Sequence, residues 1–165
     1  LGVPTAWPAM LDDLITNPNW RIVNKGVSGA TVVQQVFWYD AFEQLANTLA
    51  NDAPDALIAA FGTNDVGPFL PATILQAYQS LKAQAGNIPM FIALTPPRYD
   101  ATVTPLKVSR IFELNNLIRH NFPPEMIIDF YHPMVYPDDY NTDGLHFSLS
   151  GHAKRTQEAF HQIDH

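Results

Sequence analysis

Three short segments of this 165-residue chain hold residue types that can do chemistry. In Asp143-Gly144-Leu145-His146 a carboxylate stands three residues from an imidazole across a glycine turn. At that spacing the carboxylate can accept the Nδ1 proton, fix the tautomer and leave Nε2 free as a base. Asp and His so spaced also occur by chance, and this pair gains weight from its place just before a helix that Ser148 can N-cap. In Gly62-Thr63-Asn64-Asp65 the Asn64 amide is an uncharged donor that suits the oxygen of a tetrahedral intermediate. An Asx turn that simply ends the preceding strand fits the same residue, and Asp65 reads as a cap or brace of the loop. In Asn24-Lys25-Gly26-Val27-Ser28-Gly29-Ala30-Thr31 two glycines permit positive φ and close backbone approach, so a backbone N–H can point at a ligand oxygen. An ordinary glycine turn also accounts for that segment.

All three segments lie in loops that follow or link regular elements. Apolar runs of four to seven residues alternate with stretches of helical period, the pattern of repeated strand and helix. Helices are predicted over Trp7 to Ile15, Asp40 to Asn51, about Pro71 to Gln84 with Gly86 as the stop, Leu106 to His120, and from Ser148 to about Ile163. Strands are predicted at Trp20 to Val23, Ala56 to Phe61, Pro89 to Leu94 and Met126 to Phe130. They are near-continuous apolar runs, as in a parallel sheet covered on both faces. The fold class is therefore α/β: a three-layer α/β/α sandwich with a mostly parallel, flavodoxin-like sheet, forming a single domain over residues 1–165. Open sheets of this kind place ligands at the carboxyl ends of their strands, where the three segments fall. The reading begins with a helix, so a first strand is apparently missing.

Composition narrows the function classes. With 47% apolar and 15% charged residues the chain is of soluble globular type, and no apolar run approaches a membrane span. Sixteen acidic against nine basic residues give a formal charge of −7, and the basic residues are scattered, which argues against nucleic acid as a partner. There is no cysteine, so a nucleophile must be an oxygen or an amine. His120, His132, His152, His161 and His165 show no metal-ligand spacing and read as surface or packing residues. Arg98 and Tyr99, after Thr95-Pro96-Pro97, sit on a further loop at the crevice side and are candidate substrate contacts. Phe37-Trp38-Tyr39 could line an acyl pocket, although such a run is more often core.

Taken in order, the three segments resemble the later blocks of the SGNH, or GDSL-like, hydrolases, and the resemblance extends over essentially the whole chain. Val27-Ser28-Gly29-Ala30-Thr31 matches the second block, which implies that the Gly29 N–H enters an oxyanion hole. Gly62, Asn64 and Asp65 match the G-x-N-D block, which implies that Asn64 supplies the side-chain donor. Asp143 and His146 match the D-x-x-H block. The departure is the first block, G-D-S, which carries the nucleophile in the family: no Gly-Asp-Ser occurs in these residues. Leu1 to Pro8 looks like the stretch that follows it. The resemblance further implies that the first strand would lie centrally, between the second and third.

The resemblance implies a serine-type hydrolase cleaving carboxylic esters, short-chain acyl or aryl esters first, through an acyl-enzyme. The nucleophile is expected just upstream of Leu1, and no metal or organic cofactor is required. A small-molecule ester is the expected partner, with a homo-oligomer or a complementing N-terminal segment also compatible. The alternative is a binding or scaffold protein that kept the crevice and lost the nucleophile. Of the serines present, Ser28 is nearest to the expected site, Ser148 and Ser150 read as helix-start residues, and Ser80 and Ser109 fall within helices.

Overall fold

The computed structural model describes residues 6–33 and 40–163. The readings placed on Leu1 to Thr5, on Phe37-Trp38-Tyr39 and on His165 lie outside the described residues. Elements follow in the order α1 (Trp7–Leu14), α2 (Ala41–Asn51), β1 (Leu57–Ala59), α3 (Pro71–Ala85), β2 (Met90–Ala93), α4 (Pro105–Asn121), β3 (Ile127–Ile128) and α5 (Leu149–Ile163), with a 3-10 turn at Pro124–Met126. The architecture is mixed α/β. Its sheet has the order β1-β2-β3, and β1 runs parallel to β2 with Leu57, Ile58 and Ala59 opposite Met90, Phe91 and Ile92.

The chain divides into two compact units. One comprises Val27–Thr95 and Thr104–Ile127. Within it α2 packs on α3 and α3 on α4. Ile111, Leu114 and Ile118 of α4 recur at helical spacing and are buried, as are Ile74, Tyr78 and Leu81 of α3 and Met90 and Ile92 of β2. The helix ends follow the chemistry of their residues. Asp40 accepts hydrogen bonds from the Phe42 and Glu43 N–H groups at 2.8 and 3.3 Å, and Thr104 accepts from Lys107 N–H at 3.2 Å. Gly86 ends α3 at φ +62°, a conformation in which a side chain is strained.

The second unit comprises Leu1–Gly26, Pro96–Val103 and Ile128–His165. Here α1 packs on α5, with Leu11, Ile128, Phe130, Met134 and Ala159 buried. Trp7 meets Phe130 edge to face at 5.3 Å, and Thr156 Oγ1 donates to the Trp7 carbonyl at 3.2 Å. The Arg155 guanidinium lies over the rings of Trp7, Phe130 and Phe147 at 5.4, 4.3 and 4.6 Å. These contacts fix α5, whose first turn begins right after the Asp143 to His146 segment.

Two expectations need correction. Trp20 to Val23, expected as a strand, pairs with no strand among the described residues. Its backbone is satisfied locally: Trp20 N–H donates to the Asn17 carbonyl at 3.1 Å and Ile22 N–H to Asp12 Oδ1 at 2.6 Å. Trp20 and Val23 are 51% and 48% exposed, so no neighbour buries the apolar run that suggested a strand. The remaining strands are shorter than predicted. Apolar runs mark what is buried, whereas a strand extends only as far as a neighbouring backbone pairs with it. Phe130, for example, bonds back to Ile128 instead of continuing β3.

Candidate active site

The turn at Asp143 to His146 is built from backbone outward. Tyr140 and Phe147 form an isolated antiparallel bridge, Asn141 N–H donates to the His146 carbonyl at 2.8 Å, and Gly144 N–H donates to Asn141 at 2.9 Å. Gly144 has φ +66°, and a Cβ there would press on the Tyr99 carbonyl carbon at 2.7 Å. Glycine is thus required both by the turn and by the close approach of Tyr99, whose N–H donates to the Gly144 carbonyl at 2.9 Å.

Within the turn, Asp143 Oδ1 accepts the Leu145 and His146 N–H groups, each at 2.9 Å, and Oδ2 lies 2.6 Å from His146 Nδ1. The His146 hydrogen bond, followed by those two backbone donors, draws the Asp143 pKa down to about 2. An ionised carboxylate on Nδ1 holds a proton there and leaves Nε2 as the acceptor, the arrangement a general base needs. Both side chains are solvent-exposed.

The turn is anchored from the other side by Asp139, which is fully buried. Its Oδ2 accepts from Lys154 Nζ at 2.6 Å and from Val135 N–H at 2.7 Å, while Oδ1 accepts from Ser150 Oγ at 2.7 Å. Burial acts to raise its pKa, but these hydrogen bonds outweigh it and the net direction is down. The Asp139 carbonyl accepts Ser148 N–H at 3.0 Å, and Ser148 Oγ caps α5 by accepting Gly151 N–H at 3.3 Å. Residue types alone gave no signal for Asp139 or Lys154, because their pairing depends on the loop folding back onto α5.

In the other unit, the segments holding Gly29 and Asn64 are tied together. Gly29 sits at φ +78° in a turn closed by Ala30 N–H donating to Val27 at 3.2 Å. Asn64 Nδ2 donates to the Ala30 carbonyl at 3.1 Å. That bond uses one of the two amide hydrogens and orients the group, leaving the second as a donor. Asp65, fully buried, accepts Val32 and Val33 N–H on Oδ1 at 2.8 and 3.1 Å and Gly62 N–H on Oδ2 at 3.0 Å. Burial raises its pKa against the pull of those donors. Asp65 is thus a brace joining the two loops, as its sequence context suggested. Gly62 has φ +105°, and a Cβ there would collide with Thr95 Oγ1. Arg110 Nη1 closes the far end of the loop through the Val66 and Gly67 carbonyls at 3.1 and 2.6 Å.

Of the two further candidates, Arg98 directs Nε and Nη2 at Asp100, at 2.8 and 3.0 Å, and its hydrogen bond holds the Asp100 carboxyl well below the ordinary range. Tyr99 is 43% exposed and stacks on Tyr136. One pair was missed by sequence reasoning. Asp129 and His132 repeat the spacing and geometry of the first dyad, with Nδ1 to Oδ2 again 2.6 Å and the Tyr131 and His132 N–H groups on Oδ1 at 2.9 and 3.0 Å. The signal was present in the letters as a second D-x-x-H. Local geometry does not separate the two pairs. Among the described residues no group of three or more His, Cys, Asp or Glu side chains could hold a metal ion, and no helix is long and apolar enough to cross a membrane.

Residues 2–154 match the model of the GDSL-like Lipase/Acylhydrolase family. The chain belongs to that family. It is accordingly a hydrolase of the GDSL type. A comparison with the curated proteins returned no match. Solved structures resemble it at low identity. A lipolytic protein of the G-D-S-L family from Veillonella parvula is 17% identical, with a TM-score of 0.76 over 99% of this chain and 90% of that one. Est24, a carbohydrate acetylesterase from Sinorhizobium meliloti, is 18% identical, with a TM-score of 0.74 over 94% and 85%. An acetylxylan esterase from Geobacillus stearothermophilus, solved as a catalytic mutant, is 18% identical, with a TM-score of 0.68 over 96% and 80%. These likenesses establish the GDSL hydrolase fold.

Proposed function

We propose that this GDSL-family chain hydrolyses short-chain carboxylic esters through a serine acyl-enzyme. His146 takes the proton of the attacking serine and returns it to the leaving alcohol, and Asp143 orients the imidazole and balances its charge. The Gly29 N–H and the second Asn64 amide hydrogen stabilise the oxyanion, each such donor being worth about 3 kcal/mol of barrier. Water then repeats the cycle on the acyl-enzyme and releases the acid. The observation that carries the reading is the Asp143 to His146 contact of 2.6 Å, which sets the tautomer a base requires. The printed esterase descriptions of the structural neighbours from Sinorhizobium meliloti and Geobacillus stearothermophilus support it.

In this reading the nucleophilic serine stands upstream of Leu1. Apart from Ser28, which adjoins Gly29, the serines within the chain are engaged elsewhere or face solvent from other positions. Ser148 Oγ donates to Asp138 at 2.8 Å, Ser150 Oγ donates to Asp139, and Ser80 and Ser109 are exposed on α3 and α4. The test is hydrolysis of a short-chain p-nitrophenyl ester by this chain and by one extended upstream through a Gly-Asp-Ser block. The extended protein is expected to turn over and the shorter chain to be inert. Turnover by the shorter chain that Ser28→Ala abolishes would overturn the nucleophile assignment, and an inert extended protein would favour a binding or scaffold role.

A further inference from the structure

The aromatic residues around the Asp143 to His146 turn form a layered set. Tyr99 and Tyr136 stack with ring centres 4.8 Å apart and planes 27° apart. Beneath them Tyr140, which is buried, meets Tyr99 edge-on at 5.2 Å and Phe147 at 5.1 Å, and its hydroxyl donates to the Pro97 carbonyl at 2.8 Å. The lower rings are therefore fixed, whereas Tyr99 and Tyr136 stay 43% and 48% exposed beside Val135 at 51%. Exposed, rigidly backed aromatic surface is a binding feature more often than a stability feature. It is also joined to the dyad, since Tyr99 N–H donates to Gly144 inside the turn.

Position and charge limit what such a surface takes. If His146 returns a proton to the leaving oxygen, the groups flanking its turn meet the alcohol half of the ester. Segment 129–146 contains Asp129, Asp138, Asp139 and Asp143 and no Lys or Arg. Arg98 and Lys154 donate to Asp100 and Asp139, and the Arg155 guanidinium lies over Phe147 on the inner side of Tyr140. An anionic headgroup would be repelled here. A neutral ring with one C–H face and several hydroxyls fits better: its face lies on the outer face of Tyr136, and its hydroxyls meet tyrosyl oxygens and the exposed Asp138 carboxylate. We infer that the Tyr136 ring, backed by the stacked Tyr99, forms a platform for the pyranose ring of an O-acylated neutral saccharide. The inference rests on the ester-hydrolase reading for its orientation, but the platform binds sugar without any reaction.

The test therefore separates binding from turnover. Xylobiose, which has no ester, is titrated by NMR into this chain, into Tyr136→Leu and into Tyr136→Phe, with thermal melts checking that each folds. Binding at millimolar concentration is expected, weakened about tenfold by Tyr136→Leu and little by Tyr136→Phe. In the extended protein, the ratio of kcat/KM for an acetylated methyl xyloside over ethyl acetate should fall by the same factor in Tyr136→Leu. Absence of xylobiose binding while ethyl acetate is hydrolysed would overturn the platform and leave the reaction standing. Equal losses on both esters, or binding of phenol in place of xylobiose, would also overturn it. Tyr136-dependent sugar binding with no ester hydrolysed would sink the reaction and uphold the platform.

Discussion

At the scale of single residues, the molecule contains its own control for the proposed general base. Asp143 with His146 and Asp129 with His132 have the same spacing, the same 2.6 Å contact and matching backbone donors. If a carboxylate-held imidazole were sufficient, the two histidines would be interchangeable. In the proposed reading His146 is the base, so His146→Ala in the extended protein is expected to lower kcat about a thousandfold, within the range of general acid–base effects. His132→Ala should stay within about threefold. A steady-state assay on p-nitrophenyl acetate decides it, and the reverse result would move the base to His132. Asn64→Ala should cost about a hundredfold in kcat with a smaller change in KM, since the lost donor acts on charge that appears only in the transition state. These candidates were legible in the sequence because each lies in a short local motif. Asp139, Tyr136 and Tyr140 were not, because their partners stand up to 43 residues away along the chain, as with Tyr140 and Pro97.

At the scale of elements, the candidate base depends on how α5 meets the loop before it. Gly151, in the first turn of α5, lies against the Asp139 carbonyl, and a Cβ added there would run into that oxygen. Backbone cannot swing aside as a flexible side chain can. Gly151→Ala is therefore expected to cost about 1–3 kcal/mol of stability as overpacking and to lower activity through the displaced turn. Gly86→Ala is the comparison: the space there is open and only the φ of +62° resists, so about 1 kcal/mol is expected. Urea denaturation of the two variants measures both. Helices were read from sequence nearly to their ends because their signals are local: Pro71 at a start, Ser148 at a cap, Gly86 at a stop. Strands were read less well. Ile92 and Ile128 announce burial by their type, but pairing depends on a neighbour that the letters do not specify, and Trp20 to Val23 has the apolar run without a ladder partner among the described residues.

At the scale of the whole molecule, acidity shapes stability. The chain carries a formal charge of −7 at pH 7, yet several carboxylates are tied to internal donors. Asp100, Asp129, Asp139 and Asp143 all have pKa values below the ordinary carboxylate value, Asp100 chiefly through the Arg98 hydrogen bond and Asp143 chiefly through the His146 hydrogen bond. For Asp129 and Asp139 burial is the largest influence and acts upward, but their combined hydrogen bonds prevail. A carboxylate with a depressed folded pKa contributes stability that is complete above the unfolded value of about 3.9 and is lost as pH falls through the folded value. Asp65 and Glu158 run the other way. Burial raises them, so the protonated form is favoured on folding and their contribution declines as pH rises from the unfolded value through the folded one. The melting temperature should therefore fall as pH drops from about 4 toward 2, with a weaker opposing slope just above that window. Asp100 isolates the first effect, because its side chain and that of Arg98 are only 9% and 10% exposed and solvent screens the pair little. Asp100→Asn should melt lower at pH 7 and show a shallower decline between pH 4 and 2. Calorimetric melts across that range check it, and parallel curves for the two proteins would place the acid sensitivity elsewhere in the fold.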